Sequence, residues 1–328
     1  MYPEPSIYRK SKRLLERRAV TIIAGFKITD GVVLCADTQE TVGGISKRNV
    51  PKLRFEPTGL RYKFDKLRSG ADPDDLAVAF CGATDNGPYL DMLVDEAWES
   101  AKGATSFADA CSLIKQSIKD TYREYGAIYQ TGQMPSTEIL YGVKMEQNSK
   151  LFHAFGPAIS ESDRCLSGGV GSYMADFIAS RMYDQYLSIG QCIILAAYVL
   201  FQAKEHVDGC GGDSHIAVLR NEGTSGLVHW ENIRSATKLV EISDQALGEM
   251  LIHYADMRLS DEEFNKKATE KLGELVSVRG FEIGKFRGNK EMWDALFGAS
   301  IHDEIGLPVP TDDLGFKLSD DQTSEPEP

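Results

Sequence analysis

Thr21, Asp37 and Lys52 are residues whose types could do chemistry together, and all three lie in one stretch, TIIAGFKITDGVVLCADTQETVGGISKRNVPK. A threonine hydroxyl is a weak nucleophile until a base takes its proton. A carboxylate can hold a cation in place, and a lysine ammonium can tune the ionisation of groups beside it. Taken singly, each residue has a plain structural reading: a strand-forming Thr, an Asp at a strand end, a solvated loop Lys. What joins them is the element in between. Residues 21–28 are an apolar, β-branched run, Thr29-Asp30-Gly31 supplies a tight turn, and residues 32–36 are a second apolar run. The pattern predicts a hairpin of two paired strands. Both runs are nearly continuous in apolar residues, so the hairpin is expected to be covered on both faces.

This hairpin resembles the β-type subunits of the proteasome and their bacterial relatives, a family of N-terminal nucleophile hydrolases. In that family the processed chain begins with Thr, continues as a strand, turns at a Gly and reaches Ala-Asp sixteen residues on; Thr21, Gly31 and Ala36-Asp37 match. A Lys after a further loop completes the family's catalytic group. Lys52, in Val-Pro-Lys-Leu, fits with a loop one residue shorter than usual, and Lys66, in a second Lys-Leu-Arg, is the alternative. The resemblance implies that Thr21 becomes the first residue and that its own α-amine, titrating near ~7.7–8.0, is the base. A buried Lys52 would keep that amine neutral by like-charge repulsion, and Asp37 would hold Lys52 charged. The oxyanion of the attacked carbonyl needs a backbone N–H, which the family takes from a Gly ending a later strand; Gly82, closing LAVAFCG, matches.

Two further segments resemble the family with departures. Ser167-Gly168-Gly169-Val170-Gly171-Ser172 is similar to its Gly-Ser-Gly-Ser turn beside the catalytic Thr, but Val170 stands where a Ser hydroxyl is usual. Ser172 or Ser167 would have to supply it. Val207-Asp208-Gly209-Cys210-Gly211-Gly212 is one residue short of the family's Asp-x-x-Ser-Gly-Gly, so Asp208 matches the Asp and Cys210, a weaker donor, the Ser. Val20, before the expected cleavage point, replaces the usual Gly and crowds the hydroxyl with a β-branched side chain.

Other chemistries find little support. A Gly-rich turn before a helix can cradle phosphate, but no Gly-Lys-Ser/Thr ending or dinucleotide-spaced acid follows this one. His206, Asp208, Cys210, Asp213 and His215 have no established ligand spacing, and there is no GxSxG or HExxH. No cofactor and no metal are expected.

The 328 residues, 42% hydrophobic, suffice for one large domain or two. A formal charge of −13 and a pI near 5.0 argue against a nucleic-acid or anionic-membrane surface. Six scattered cysteines without a CxxC pair read as reduced core thiols in a cytosol. The first twenty residues lack the apolar core of a secretory signal, and no charge-free stretch reaches membrane-spanning length, which predicts a cytoplasmic protein.

Residues 55–75, FEPTGLRYKFDKLRSGADPDD, read as an inserted loop or hairpin. Helices are predicted over 86–102, 106–125, from the glycine-rich turn through Ala203, and over 244–256 and 261–276, the last two opened by Ser243-Asp244 and Ser260-Asp261 caps. Strands are predicted over 138–144, 151–155 and 215–220.

The expectation is therefore an α+β chain, a four-layer αββα sandwich. Residues 1–20 are a leader or propeptide, 21–233 the hydrolase domain, 234–310 a helical C-terminal extension and 311–328 a disordered acidic tail. The resemblance implies a threonine peptidase acting on peptides or unfolded protein inside a homo-oligomeric ring; the residues identify no partner ATPase. Two alternatives stand: a noncatalytic ring subunit that keeps its N-terminal segment, and a β-rich binding protein in which Thr21 is only a strand residue.

Overall fold

The computed structural model describes residues 21–42, 46–56, 75–128, 134–256 and 258–287. The expected leader 1–20, the alternative Lys66, most of the 55–75 insertion and the tail 311–328 lie outside these residues.

Strands β1 (Ile23–Ile28) and β2 (Gly31–Asp37) form the hairpin, antiparallel from Ile23 opposite Ala36 to Ile28 opposite Gly31. All of β2 is buried, and all of β1 except Lys27. The two faces go to different partners, as period-two alternation requires. Ile22, Ala24, Phe26, Val33 and Cys35 pack against helices, while Ile23, Val32, Leu34 and Ala36 pack against a second sheet.

The chain continues through β3 (Gln39–Val42), β4 (Ser46–Asn49), β5 (Leu53–Glu56) and β6 (Ala77–Thr84) to helices α1 (Gly87–Ala101) and α2 (Phe107–Ile128). Strands β7 (Thr137–Met145), β8 (Asn148–Phe155), β9 (Ala158–Ser162) and β10 (Cys165–Gly168) precede α3 (Ser172–Met182) and α4 (Ile189–His206). Strands β11 (Ser214–Arg220) and β12 (Gly226–Leu227) and helices α5 (Trp230–Tyr254) and α6 (Asp261–Arg287) follow. The described residues are thus α+β, with three sheets: β10-β1-β2-β11-β12, β5-β6-β7-β8-β9, and the small β3-β4 pair.

Three apolar clusters hold these elements. Ala217 and Leu219 of the first sheet meet Ala77, Ala79, Cys81, Leu140 and Leu151 of the second, with small side chains on β6 letting the sheets approach. Val78, Phe80, Tyr141 and Phe152 turn the other way, against Leu93 and Ala97 of α1 and Ile114 and Ile118 of α2. Ile178 of α3, Cys192 and Leu200 of α4 and Ile233 of α5 cover the first sheet's other face. Burying each large aliphatic or aromatic side chain contributes roughly 1.5–3 kcal/mol. All six cysteines are free, and five are buried. Among the described residues no helix is long and apolar enough to cross a membrane.

The helices correct several expectations. The single helix expected through Ala203 is two, because Ser188 caps α4: its hydroxyl accepts from Gln191 N–H and the Gln191 side chain accepts from Ser188 N–H. Ser243 is not a cap. It lies inside α5, where its hydroxyl donates to the Leu239 carbonyl, and α5 starts at Trp230, after His229. The boundary expected between 233 and 234 therefore falls within one helix whose first turns are packed in the core. Ser260 does cap α6, paired with Glu263, and that helix runs to Arg287, well past 276.

His215, opposite Ala36, is 4% exposed, and burial lowers its imidazole to about 4, Asp213 opposing the shift and Lys204 adding to it. The unfolded chain takes up this proton near 6.5 and the folded chain only near 4, so stability is fully present above 6.5 and falls as pH drops toward 4. The loss amounts to about 3 kcal/mol. Thermal melts across that window are expected to show a steeper decline for the wild-type chain than for His215→Gln.

Candidate active site

The hairpin register brings Asp37 to Thr21. With Ile23 opposite Ala36, the next pair outward is Ile22 and Asp37, and Asp37 N–H donates to the Ile22 carbonyl at 3.2 Å. Thr21 is 1% exposed, and its hydroxyl donates to Asp37 Oδ1. Lys52 arrives by a longer route. After Asp37 the chain leaves as β3 and returns as β4, closed where Val50 N–H donates to the Thr38 carbonyl at 2.7 Å. Lys52 then precedes β5, which is fixed by pairing Leu53 with Cys81.

Lys52 Nζ lies 2.5 Å from Thr21 Oγ1 and 2.8 Å from Asp37 Oδ1, and it also donates to the Gln39 carbonyl. Asp37 is fully buried, and its carboxylate accepts from Thr21 Oγ1, Ile22 N–H (3.2 Å), Lys52 Nζ and, through Oδ2, Gly211 N–H (2.9 Å). A buried carboxylate needs such donors, because burying an unpaired charge is costly. Burial pushes the Lys52 ammonium below its ordinary 10.5, and Asp37 opposes that shift. The Thr21 hydroxyl is thus bonded on one side to a carboxylate and on the other to a lysine whose neutral form is unusually accessible. Both are proton acceptors within reach of it.

Two glycine turns complete the surroundings. Strand β10 pairs with β1, Gly168 opposite Ile23, so the following turn lies against Thr21. Gly171 N–H donates to the Thr21 carbonyl at 3.0 Å. Gly169 has φ of 77°, and a Cβ there would stand 2.4 Å from the Thr21 carbonyl oxygen, so the position demands glycine. On the other side, Gly211 binds Asp37 through its N–H and receives Thr38 and Gln39 N–H through its carbonyl.

Other expected site residues stand apart from the hydroxyl. Gly82 N–H donates to the Lys52 carbonyl at 3.0 Å; that N–H is engaged in β5–β6 pairing and is not the open oxyanion donor expected of it. Asp208 is exposed in the turn after α4, and the group of this segment that reaches the site is Gly211 N–H, at Asp37. Ser172 begins α3, half-buried; Ser167 Oγ donates its proton to Asp176 at 2.6 Å and lies 3.3 Å from the Ser172 carbonyl. Neither serine hydroxyl bonds to Thr21 among the described residues. Val170 packs against the helix-side core. Cys210 is buried, its thiol pushed up to about 12 by burial with Asp37 adding and Lys52 opposing, so it stays protonated at neutral pH.

Among the described residues no three His, Cys, Asp or Glu side chains gather as metal ligands would. Contributors the sequence left unassigned include the Gln39 carbonyl and the Gly211 N–H. Both act through the backbone, which residue types do not advertise.

No family model matches this chain, and no curated protein matches it. Solved structures do. Anbu from Hyphomicrobium sp. strain MC1 is 14% identical with a TM-score of 0.54, over 74% of this chain and 100% of that one. Anbu from Yersinia bercovieri, described as an ancestral beta-subunit, is 13% identical with a TM-score of 0.53, over 72% and 98%. The Anbu complex from Pseudomonas aeruginosa, solved as a helical assembly, is 14% identical with a TM-score of 0.55, over 74% and 98%. At this identity the likeness shows a shared fold. These structures are matched almost whole, while about a quarter of the present chain has no counterpart in them.

Proposed function

We propose that this chain is a proteasome-like N-terminal threonine hydrolase that frees Thr21 from residues 1–20 and then cleaves peptide bonds in peptides or unfolded protein. The observation that carries the reading is the Thr21 hydroxyl held between Asp37 and Lys52. The three apolar clusters are read with it as the interfaces between the four layers of an αββα sandwich.

Before cleavage, Thr21 N belongs to an amide and has no basic lone pair, so the first proton must go elsewhere. The Asp37 carboxylate is already engaged by four hydrogen-bond donors, whereas a neutral lysine offers a free lone pair. Neutral Lys52 is the better acceptor. Thr21 Oγ1 attacks the Val20 carbonyl, Lys52 takes its proton, and the tetrahedral adduct collapses with that proton passing to the Thr21 nitrogen. The Val20–Thr21 C–N bond breaks in that collapse, leaving a free α-amine and an ester on Oγ1, and water hydrolyses the ester to the Val20 carboxylate and the Thr21 hydroxyl. In later turnovers the same oxygen attacks a substrate carbonyl, with that amine as the nearby base. Intact mass tests the reading through loss of residues 1–20.

A noncatalytic ring subunit is the second reading. The engaged Gly82 N–H and the Val170 side chain in the glycine turn favour it.

Assembly belongs to the same proposal. Tyr173, Phe177 and Met182 of α3 and Tyr186 beyond it are large apolar side chains left exposed on one helix and its exit. Such surface is ordinarily covered by a partner, and a homo-oligomeric ring would cover it. Sedimentation is expected to give a multiple of the chain mass, and a monomer at micromolar concentration would remove the closed ring while leaving the hydrolase chemistry standing.

A further inference from the structure

We infer that Glu138 is a positioning residue for Thr21: its carboxylate anchors the Gly168–Gly171 turn, which holds the Thr21 carbonyl. The inference rests on the reading of Thr21 as nucleophile.

Glu138 lies on β7 of the second sheet, two residues before Leu140, which faces the first sheet. The turn it reaches follows β10 of the first sheet. Glu138 Oε2 accepts from Gly169 N–H at 2.9 Å, so one side chain bridges the two sheets beside Thr21. Its other oxygen lies 2.8 Å from His153 Nε2 on β8, which fixes the carboxylate's orientation. Gly168 makes room for it: a Cβ there would stand 2.6 Å from Glu138 Cδ.

From Gly169 the contact passes directly to the nucleophile. The glycine Cα sits against the Thr21 carbonyl, and Gly171 N–H, two residues on, binds the same oxygen. The Thr21 peptide plane is thus held by a turn that is itself held from the opposite sheet. Loss of the carboxylate leaves Gly169 N–H without this acceptor and lets the turn move. The hydroxyl then shifts against Asp37 and Lys52, and a displacement near an ångström slows such reactions by up to about 10²-fold.

The test uses the full chain and two readouts: the rate of Val20–Thr21 cleavage by timed intact mass, and amide exchange over residues 166–172. Glu138→Ala is expected to slow cleavage about 10- to 100-fold and to raise exchange in that segment. Glu138→Gln keeps an oxygen for Gly169 N–H and an amide for His153, and is expected to stay near wild type in both. Gly168→Ala, which crowds the carboxylate out, should resemble Glu138→Ala, and the double variant should be little worse than either.

Wild-type cleavage and exchange in Glu138→Ala would overturn the inference. So would a Glu138→Gln chain as impaired as Glu138→Ala, since an acceptor would then not be what matters. Should Glu138→Ala fail to fold, Gly168→Ala carries the same comparison. A wild-type chain that never cleaves would end the Thr21 reading instead, and the exchange measurement would still decide whether Glu138 anchors the turn.

Discussion

Thr21→Ala is expected to leave residues 1–20 attached indefinitely and to abolish peptide cleavage, while the chain folds and assembles. The substitution removes the only atom that the proposed reaction uses as nucleophile, and neither Ser167 nor Ser172 is placed to replace it. Both serines lie across the glycine turn, where Ser167 Oγ donates its proton to Asp176. Cys210 is nearby but buried and held as a thiol. The variant also loses a hydrogen bond to a buried carboxylate, about 1.5–3 kcal/mol, so a lower melting temperature should accompany the loss of activity. Thr21→Ser separates the two effects: it keeps the oxygen between Asp37 and Lys52, and should cleave itself, though more slowly for want of the methyl that packs toward Gly169. A Thr21→Ala chain that sheds residues 1–20 at the wild-type rate would transfer that cleavage to another protease and remove Thr21 from it.

How far the site was legible depends on the range of the interaction that makes it. The hairpin was readable because two apolar runs flank a two-residue turn, and that turn sets the register that brings Asp37 to Ile22. The break between α3 and α4 carried a local signal as well, Ser188 with Gln191 three residues on, hidden by the apolar run around it. The β3–β4 pair had none: QETV and SKRN show no alternation that distinguishes strand from loop. Yet that pair determines where Lys52 returns. The engagement of Gly82 N–H by the Lys52 carbonyl, and of Gly169 N–H by the Glu138 carboxylate, joins residues about thirty apart, and in both the donor is a backbone N–H that nearly every residue possesses. No spacing rule could have selected them.

Lys52→Ala is expected to cut Val20–Thr21 cleavage by about 10²–10⁴-fold, the usual contribution of a positioned acid–base group. Part of any loss could come from damage to the fold, because removing one member of a buried ion pair strands the other at about 3–5 kcal/mol. Asp37 is fully buried and Lys52 nearly so, and the remaining donors to Asp37, Ile22 N–H, Gly211 N–H and the Thr21 hydroxyl, offset only some of that penalty. A double variant separates the causes. Lys52→Met with Asp37→Asn puts two neutral groups of similar volume in place of the pair, so the melting temperature should recover toward wild type while cleavage stays absent. If cleavage recovers together with stability, Lys52 is structural and the base lies elsewhere. The pH profile gives an independent reading: since neutral Lys52 is the proposed acceptor and burial lowers its pKa, the wild-type cleavage rate should rise with pH and level off below lysine's ordinary 10.5. A rate indifferent to pH over that approach would remove Lys52 from the proton transfer even if Lys52→Ala were inactive. Lys66→Ala, altered outside the described residues, should cleave like wild type, because Lys52 already occupies the position beside the Thr21 hydroxyl.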